Sequence, residues 1–391
     1  MTGEDSGPAG GAGPEKAVNE VRVMVLAAGL GTRLMPLTGE VSKPMVPIVN
    51  RPVMEHLLRL LARCGFTDII ANTHYQPEGI TGHFGDGSKW DLNIDYSYEQ
   101  DLLGTAGGVK KVEEFFGGKT FIVLSGDALT DADLREMLEF HRRKKALATI
   151  MVTPVEETSR YGVVLTDDED LVVGFQEKPP DAEALSNIAN SGVYIFEPEI
   201  LDLIPADEPY DFGRELFPLM VERLEAVYAW RHDHYWNDVG SIEEYQRSNF
   251  DALEGRVKVD MPGTEVAPGV WVGHDTRINK NVLMTPPVCI GDRCVIDKGA
   301  RIIGPVVIGP GTEVSAGAVL HRGIKWGGGY IGRDSSMVGS IIGSKSRIGA
   351  GAAVLNGAVL GSGCVVNDGI VIHHSVKIMP GTVVDSDSKA S

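Results

Sequence analysis

Three short stretches of the chain carry side chains suited to phosphate and metal chemistry. The first is Ala27-Ala28-Gly29-Leu30-Gly31-Thr32-Arg33-Leu34, directly after an apolar run. Glycines let a backbone approach a ligand closely and adopt positive φ. Successive free N–H groups in such a turn form a concave anion site. Arg33 adds an always-charged fork for phosphate oxygens. Ala28, Gly29, Gly31 and Thr32 are thus candidate phosphate-binding positions beside it. The loop is not a Walker A loop, because no G-x-x-x-x-G-K-[ST] occurs, and it is not G-x-G-x-x-G, because Leu34 takes the third glycine's place. A bare G-x-G fits a structural turn as well. The second stretch is Ser42-Lys43-Pro44. A lysine between serine and proline is held in an extended loop outside any helix. Lys43 can reach back to phosphates gathered by the glycines. The third is Gly126-Asp127, at the end of the apolar run Phe121–Ser125. A carboxylate at a strand's C-terminal edge is well placed to hold Mg²⁺. Alone, Asp127 could equally cap the helix that follows, although Thr130 and Asp131 stand better for that.

These groups need elements to hold them. Val21–Ala27 reads as a buried strand, Val53–Cys64 as a helix, and Asp68–Asn72 and Lys119–Ser125 as further strands. Asp131–Lys145 reads as an amphipathic helix and Leu147–Val152 as a strand. Short apolar strands alternating with helices predict an α/β fold. Its sheet should be mostly parallel, doubly wound and Rossmann-like, with helices on both faces. Ligands of such sheets sit at the carboxyl ends of the strands. The loops after Ala27 and Ser125 lie there.

The pattern changes near Val257. Val272, Ile278, Met284, Ile290, Ile296, Ile302, Ile308, Val314 and Leu320 recur every sixth position. After an insertion around Trp326–Tyr330 the period resumes at Ile342 and runs to Val384. An aliphatic residue every sixth position predicts a left-handed parallel β-helix of hexapeptide repeats. Open edges and flat faces on such a solenoid predict a homo-oligomer assembled through it. The domains expected are a disordered Gly/Pro/Ala-rich tail over 1–18, a catalytic unit over 19–256 and the β-helix over 257–391.

A net charge of −18 repels nucleic acid and anionic membranes, so neither is an expected partner. The basic run Arg142–Lys145 ends a helix, where cations suit the dipole. No stretch approaches the ~20 apolar residues of a membrane span, and no signal-peptide pattern opens the chain. The four cysteines form no C-x-x-C pair and have no histidines at ligand spacing. They read as small buried hydrophobes in a reducing compartment, and the expected location is cytoplasmic.

Taken together, the glycine loop and Lys43-Pro44 resemble the signature of sugar-1-phosphate nucleotidyltransferases, G-x-G-T-R-L followed at this spacing by K-P. The resemblance covers roughly Val21 to Leu253, and longer members commonly carry a hexapeptide tail. It implies one in-line displacement. A sugar-phosphate oxygen attacks the α-phosphorus of an NTP, and pyrophosphate leaves. Arg33, Lys43 and Lys178 would neutralise the charge together with Mg²⁺. Asp127 resembles the family's metal aspartate. Trp236-Asn237-Asp238-Val239-Gly240 resembles its W-x-D-x-G segment, which makes Asp238 the second metal carboxylate. Ser241 and Glu244 form a capping box for the next helix, which leaves Asp238 free of capping. Glu177-Lys178-Pro179 resembles E-K-P, with Lys178 on the sugar phosphate and Glu177 on sugar hydroxyls. Its bland reading is a surface ion pair. Asn190-Ser191-Gly192-Val193-Tyr194 resembles N-x-G-x-Y, with Asn190 on a sugar hydroxyl; alone, Asn190 is a turn residue. Gly162, in Tyr161-Gly162, matches a backbone contact to the sugar.

The base site implied is Tyr98–Gly107, with Gly104 and Thr105 against the nucleotide. Uridylyl and thymidylyl relatives commonly place Gln where Glu99 stands. A carboxylate only accepts hydrogen bonds, which suits the adjacent N1–H and N2–H₂ of guanine. The string Gly104-Thr105-Ala106-Gly107 also resembles guanylyltransferases acting on mannose 1-phosphate. These features imply GTP and mannose 1-phosphate as substrates. The alternative is glucose 1-phosphate with dTTP, UTP or ATP, Gln100 reading the base while Glu99 faces solvent. Two further readings are open. His373-His374 would serve an added acyltransferase site in the β-helix. A non-catalytic subunit would have lost one of Arg33, Lys43, Asp127, Lys178 or Asp238, yet all five are present.

Overall fold

A computed structural model describes residues 20–386. The disordered tail expected over 1–18 lies outside them. Strand β1 (Arg22–Leu26) is buried on both sides. Val23 and Val25 pack on helix α1 (Val53–Cys64), and Met24 faces the opposite layer. Helix α1 has the bounds expected from its pattern, and Gly65, at φ 83°, ends it in the left-handed conformation that glycine adopts freely. Strands β2 (Asp68–Thr73), β3 (Asn93–Tyr98) and β4 (Phe121–Ser125) join β1 in the parallel order β4-β1-β2-β3. Helix α2 (Gly104–Lys111) covers the face that Met24 looks toward. Helix α3 (Leu134–Lys144) lies with α1 on the other. The doubly wound core is therefore in place.

The second half of the sheet departs from a parallel pattern. A short strand β5 (Ala128–Thr130) leaves the main sheet. Strands β6 (Ala148–Pro154), β7 (Gly162–Thr166), β8 (Val172–Glu177) and β9 (Ile188–Phe196) extend it beyond β4. Strand β9 runs antiparallel to β4, β6 and β7, and β8 antiparallel to β7. The β7–β8 connection is too short for a parallel crossover. Strand β10 (Val227–Arg231) then pairs in parallel with β6. Helix α3 begins at Leu134 and is capped by Asp133, not by Thr130 or Asp131. Asp131 is occupied elsewhere, because it accepts the backbone N–H groups of Tyr235 and Lys258.

Helix α4 (Ile242–Leu253) is capped by the Ser241 hydroxyl, which accepts the Glu244 N–H, but the box is only half formed because the Glu244 carboxylate turns to Arg160. After it the chain winds into stacked parallel coils. Val270 pairs with Val288 and Val288 with Val306, so one coil is 18 residues, or three hexapeptides. The irregularity near Trp326 is the reverse of an insertion. Glu313 pairs with Tyr330 and Tyr330 with Arg347, a spacing of 17. The turns Leu320–Lys325 and Met337–Ile342 are each one residue short. In consequence Lys325, not Trp326, takes the inward place in the row Ile290, Ile308, Lys325, Ile342, Leu360, Ile378. Its Nζ donates to the carbonyls of Trp326 at 2.6 Å, Gly328 at 2.7 Å and Gly343 at 3.2 Å. Trp326 turns outward onto α4, where one apolar cluster joins the β-helix to the first domain.

Burial pushes the Lys325 ammonium down to about 7. A lysine whose folded-state pKa is depressed binds fewer protons folded than unfolded between that value and its ordinary 10.5. Its contribution to stability therefore rises with pH across that window. The unfolding midpoint of the wild type minus that of Lys325→Met should climb between pH 6.5 and 9. A difference that stays flat across this range sinks the assignment.

All four cysteines are free and buried. His373 and His374 lie exposed in a turn between coils. Among the described residues no helix is long and apolar enough to cross a membrane.

Candidate active site

The glycine loop leaves the carboxyl end of β1. Gly31 has φ 64°, and a Cβ there would lie 2.9 Å from the Lys43 Cβ. Its bare backbone is what lets Lys43 pass. Thr38 Oγ1 donates to the Gly31 carbonyl at 2.8 Å and fixes the turn. Thr32–Leu34 form a single 3₁₀ turn that carries Arg33 at the surface. Nothing lies within 4 Å of a Cβ built on Gly29, which opens onto a cavity. Ser42 is extended, but Lys43, expected outside any helix, begins a 3₁₀ turn, Lys43–Met45, closed by the Met45 and Val46 N–H groups on the Ser42 and Lys43 carbonyls.

Asp127 and Asp238 stand 111 residues apart in sequence. Strand β5 pairs with strand β11 (Trp236–Asp238), setting Ala128 opposite Asp238 and the two carboxylates side by side. Lys43 Nζ reaches between them. It pairs with Asp127 Oδ2 and, at 3.3 Å, with Asp238 Oδ1. Burial alone would lower the Lys43 pKa, but the charges of Asp127 and Asp238 more than offset this and hold it above the usual lysine value. Burial would likewise raise Asp127; the Lys43 charge, with hydrogen bonds from Lys43 and Ser125, holds it below the usual carboxylate range. Two hard-oxygen groups that share one cation fit a divalent metal. No group of three or more His, Cys, Asp or Glu suited to a metal occurs among the described residues. Such an ion would thus complete its shell with phosphate oxygens and water.

Two cavities meet at Lys43 and Asp127. One is lined by Ala28, Gly29, Asn72, Glu99, Gly104 and Thr105, together with Lys43 and Asp127. The other is lined by Arg33, Arg160, Gly162, Glu177, Lys178, Asn190 and Asp238, again with Lys43, Thr105 and Asp127. Of the residues singled out in the sequence, Gly31 and Thr32 line neither. Gly31 lies under Lys43, and Thr32 is at the surface.

In the first cavity Glu99 is buried. Its Oε1 accepts from Asn72 Nδ2 at 2.7 Å and its Oε2 from the Leu103 N–H at 3.1 Å. Asn72 Oδ1 accepts from the Ala27 N–H at 2.7 Å. Glu99 therefore does not face solvent. Its carboxylate braces the glycine loop and the Leu103 loop together. Gly104, at φ 73°, packs against the Tyr210 carbonyl, which a Cβ would meet at 2.6 Å. The Thr105 hydroxyl is bonded to Asp211 at 2.9 Å.

In the second cavity the Glu177 carboxylate fits between Gly162 and Gly213, where added Cβ atoms would strike its Oε2. Lys178 has φ 48°, is half exposed, and pairs with Glu177 at 3.1 Å. A non-glycine residue held at positive φ beside a ligand site is a place where strain is stored. Asn190 does form part of a turn feature. It donates to Tyr194 OH and accepts from Gly192 N–H at the β9 bulge while lining the cavity. Asn72 and Arg160 are among the lining residues that escaped the sequence reading. Asn72 is the last residue but one of its apolar strand and lies beside Leu26 in register, which is a signal that was available. Arg160 is tied to Glu244 at 3.3 Å, a long-range pairing with no local signature.

Residues 22–255 match the family described as Nucleotidyl transferase. The chain belongs to the nucleotidyl transferase family. Residues 284–391 match the GMPPB C-terminal domain. The nucleotidyl transferase is 40% identical over 337 residues to a UTP–glucose-1-phosphate uridylyltransferase of Synechocystis sp., covering 82% of this chain and 87% of that one. It is 34% identical over 308 residues to a mannose-1-phosphate guanylyltransferase of Mycobacterium tuberculosis, covering 78% and 84%. Among solved structures, HddC from Yersinia pseudotuberculosis complexed with GMP-PN aligns with TM-score 0.51 at 28% identity. That match covers 59% of this chain and 98% of that one. The reaction class implied by the sequence motifs, nucleotidyl transfer to a sugar 1-phosphate, is thereby established.

Proposed function

We propose that the chain condenses GTP with mannose 1-phosphate to GDP-mannose, releasing pyrophosphate, with Mg²⁺ as its metal. The observation that carries this is the shared wall of Lys43 and Asp127 between the two cavities. A triphosphate in one and a sugar phosphate in the other would meet there for in-line transfer. Lys43 on the shared wall and Arg33 in the second cavity offset the charge as the two anions approach. Lys178 holds the sugar phosphate, and Glu177, Asn190 and the Gly162 backbone hold the sugar. When bound by Asp127 and Asp238, Mg²⁺ supplies charge neutralisation at the reacting phosphate. Guanine is favoured by the buried Glu99 carboxylate in the nucleotide cavity, by the Mycobacterium relative, and by the guanine nucleotide in the HddC structure. Mannose is favoured by the same relative and by the match to the GMPPB C-terminal domain. Four free, buried thiols favour the reducing cytoplasm. Among the described residues the last strands, Val371–Ile372, Lys377–Ile378 and Val383–Val384, are paired on one side only, and such open edges favour assembly through the β-helix.

A second reading, UTP with glucose 1-phosphate, is favoured by the 40% identity to the Synechocystis enzyme. Pyrophosphate release measured for each NTP, crossed with mannose 1-phosphate and glucose 1-phosphate, separates the two. GTP with mannose 1-phosphate should give the highest kcat/KM, by about tenfold or more, which corresponds to ~1.4 kcal/mol of transition-state discrimination. A maximum at UTP with glucose 1-phosphate selects the second reading.

A further inference from the structure

The segment that carries Lys43 does not rest on its own domain alone. After Lys43 the chain forms a hairpin, Pro47–Ile48 with Arg51–Pro52, turned by Val49-Asn50. Both turn residues have positive φ, 40° and 68°. For buried, β-branched Val49 this backbone is strained and persists only where its surroundings enforce it. The enforcing contacts come from two sides. Asn249 Oδ1, on α4, accepts the Val49 N–H at 2.9 Å. Asn50 Nδ2 donates to the carbonyl of Ile308, an inward residue of the β-helix, at 3.0 Å. Nearer Lys43, the Tyr245 hydroxyl donates to the Pro47 carbonyl at 2.7 Å and accepts from Trp326 Nε1–H at 2.7 Å. Tyr245 and Trp326 are both buried. Trp326 faces this way because the turn before it is one residue short and puts Lys325 inward.

We propose that the β-helix is the seat of the phosphate-facing lysine. Trp326, acting through Tyr245 and Pro47, and Ile308, acting through Asn50, are positioning contacts that fix Lys43. Turnover then depends on the β-helix of the same chain, whatever the state of assembly. The proposal rests on the reading that Lys43 meets the phosphates. A phosphate-binding cation must be held within roughly 0.5 Å of its working place by packing and hydrogen bonds behind it. Here part of that support comes from the second domain, directly from Ile308 and, through Tyr245, from Trp326.

The test uses the full chain and a double-mutant cycle. Tyr245→Phe removes one hydroxyl at constant ring packing. Asn50→Gly keeps the positive φ and removes the bond to Ile308. Each should lower kcat by about tenfold in the wild-type background, and Lys43→Ala should lower it further. In the Lys43→Ala background neither Tyr245→Phe nor Asn50→Gly should lower kcat again, because nothing remains to be positioned. Equal losses in both backgrounds mark a merely structural role and overturn the proposal, as does an unchanged kcat in the single variants. Should Lys43→Ala itself keep wild-type kcat, the underlying reading of Lys43 fails, and this outcome is distinct from the other two. If Tyr245→Phe does not fold, Trp326→Phe replaces it and carries the same expectations.

Discussion

Asp127→Asn and Asp238→Asn should each cut turnover by about three orders of magnitude in a protein that stays folded. Loss of a metal carboxylate removes several kcal/mol of transition-state stabilisation, and each ~1.4 kcal/mol is tenfold in rate. The effect on folding is much smaller. An asparagine at 127 still accepts from Ser125 Oγ, which lies 2.6 Å from the aspartate Oδ1, and Lys43 keeps Asp238 as its counter-charge. In Asp238→Asn the lysine keeps Asp127, its nearer partner. The losses in stability should be about 1–3 kcal/mol, the cost of weakening a partly buried charged hydrogen bond. Turnover at saturating Mg²⁺ and the unfolding midpoint are measured together. Near-normal turnover in either variant removes that residue from the metal site. A collapse of the midpoint instead makes the pair a folding element.

The relation between sequence and site differs from residue to residue. The glycine loop and the Asp127 edge were legible because both follow apolar runs that could only be buried strands, and a parallel sheet exposes such ends to ligands. Asp238 had no such local signal. Its nearness to Asp127 comes from the β5–β11 pairing across 111 residues, and only the resemblance to known motifs pointed to it. The antiparallel half of the sheet was hidden for a related reason, since buried strands look alike whichever way their neighbours run. The six-residue period gave the β-helix. It did not reveal the two shortened turns, because Trp326 occupies the sixth position after Leu320 and hides that Lys325 is the residue turned inward. The grip of the β-helix on the Lys43 segment followed from that shift and was not legible.

The same grip changes what a truncation can teach. Removing the chain after Leu253 would strip Val307, Ile324 and Trp326 from the apolar cluster they share with Leu34, Leu37, Val46 and Val49 of the first domain. A drop in mass of such a fragment would mix lost assembly with a damaged first domain. Assembly is better read from light scattering of the intact chain.

Glu99→Gln should lower kcat/KM for every NTP and, beyond that, shift the preference away from GTP. The two effects have separate causes. The carboxylate holds Asn72 Nδ2–H on one oxygen and the Leu103 N–H on the other. An amide must turn its own donors toward one of them, and Asn72 cannot flip to compensate, because its Oδ1 already accepts the Ala27 N–H. One internal bond is lost whichever base is bound. Each carboxylate oxygen also keeps a further lone pair, and side by side these match the N1–H and N2–H₂ of guanine. The amide loses one of those acceptors and gains a donor that suits a pyrimidine carbonyl. A buried donor left unpaired costs ~1–3 kcal/mol, so the GTP-to-UTP ratio of kcat/KM should fall about 5- to 150-fold. Asn72→Ala separates the causes. It removes the brace and leaves both carboxylate oxygens, so it should depress all nucleotides alike and leave the ratio in place. The KM for mannose 1-phosphate should hardly move in either variant, because Glu99 and Asn72 line only the nucleotide cavity. If the ratio is unchanged in Glu99→Gln as well, Glu99 is a brace and not a reader of the base, and the choice between GTP and UTP passes to other residues of that cavity.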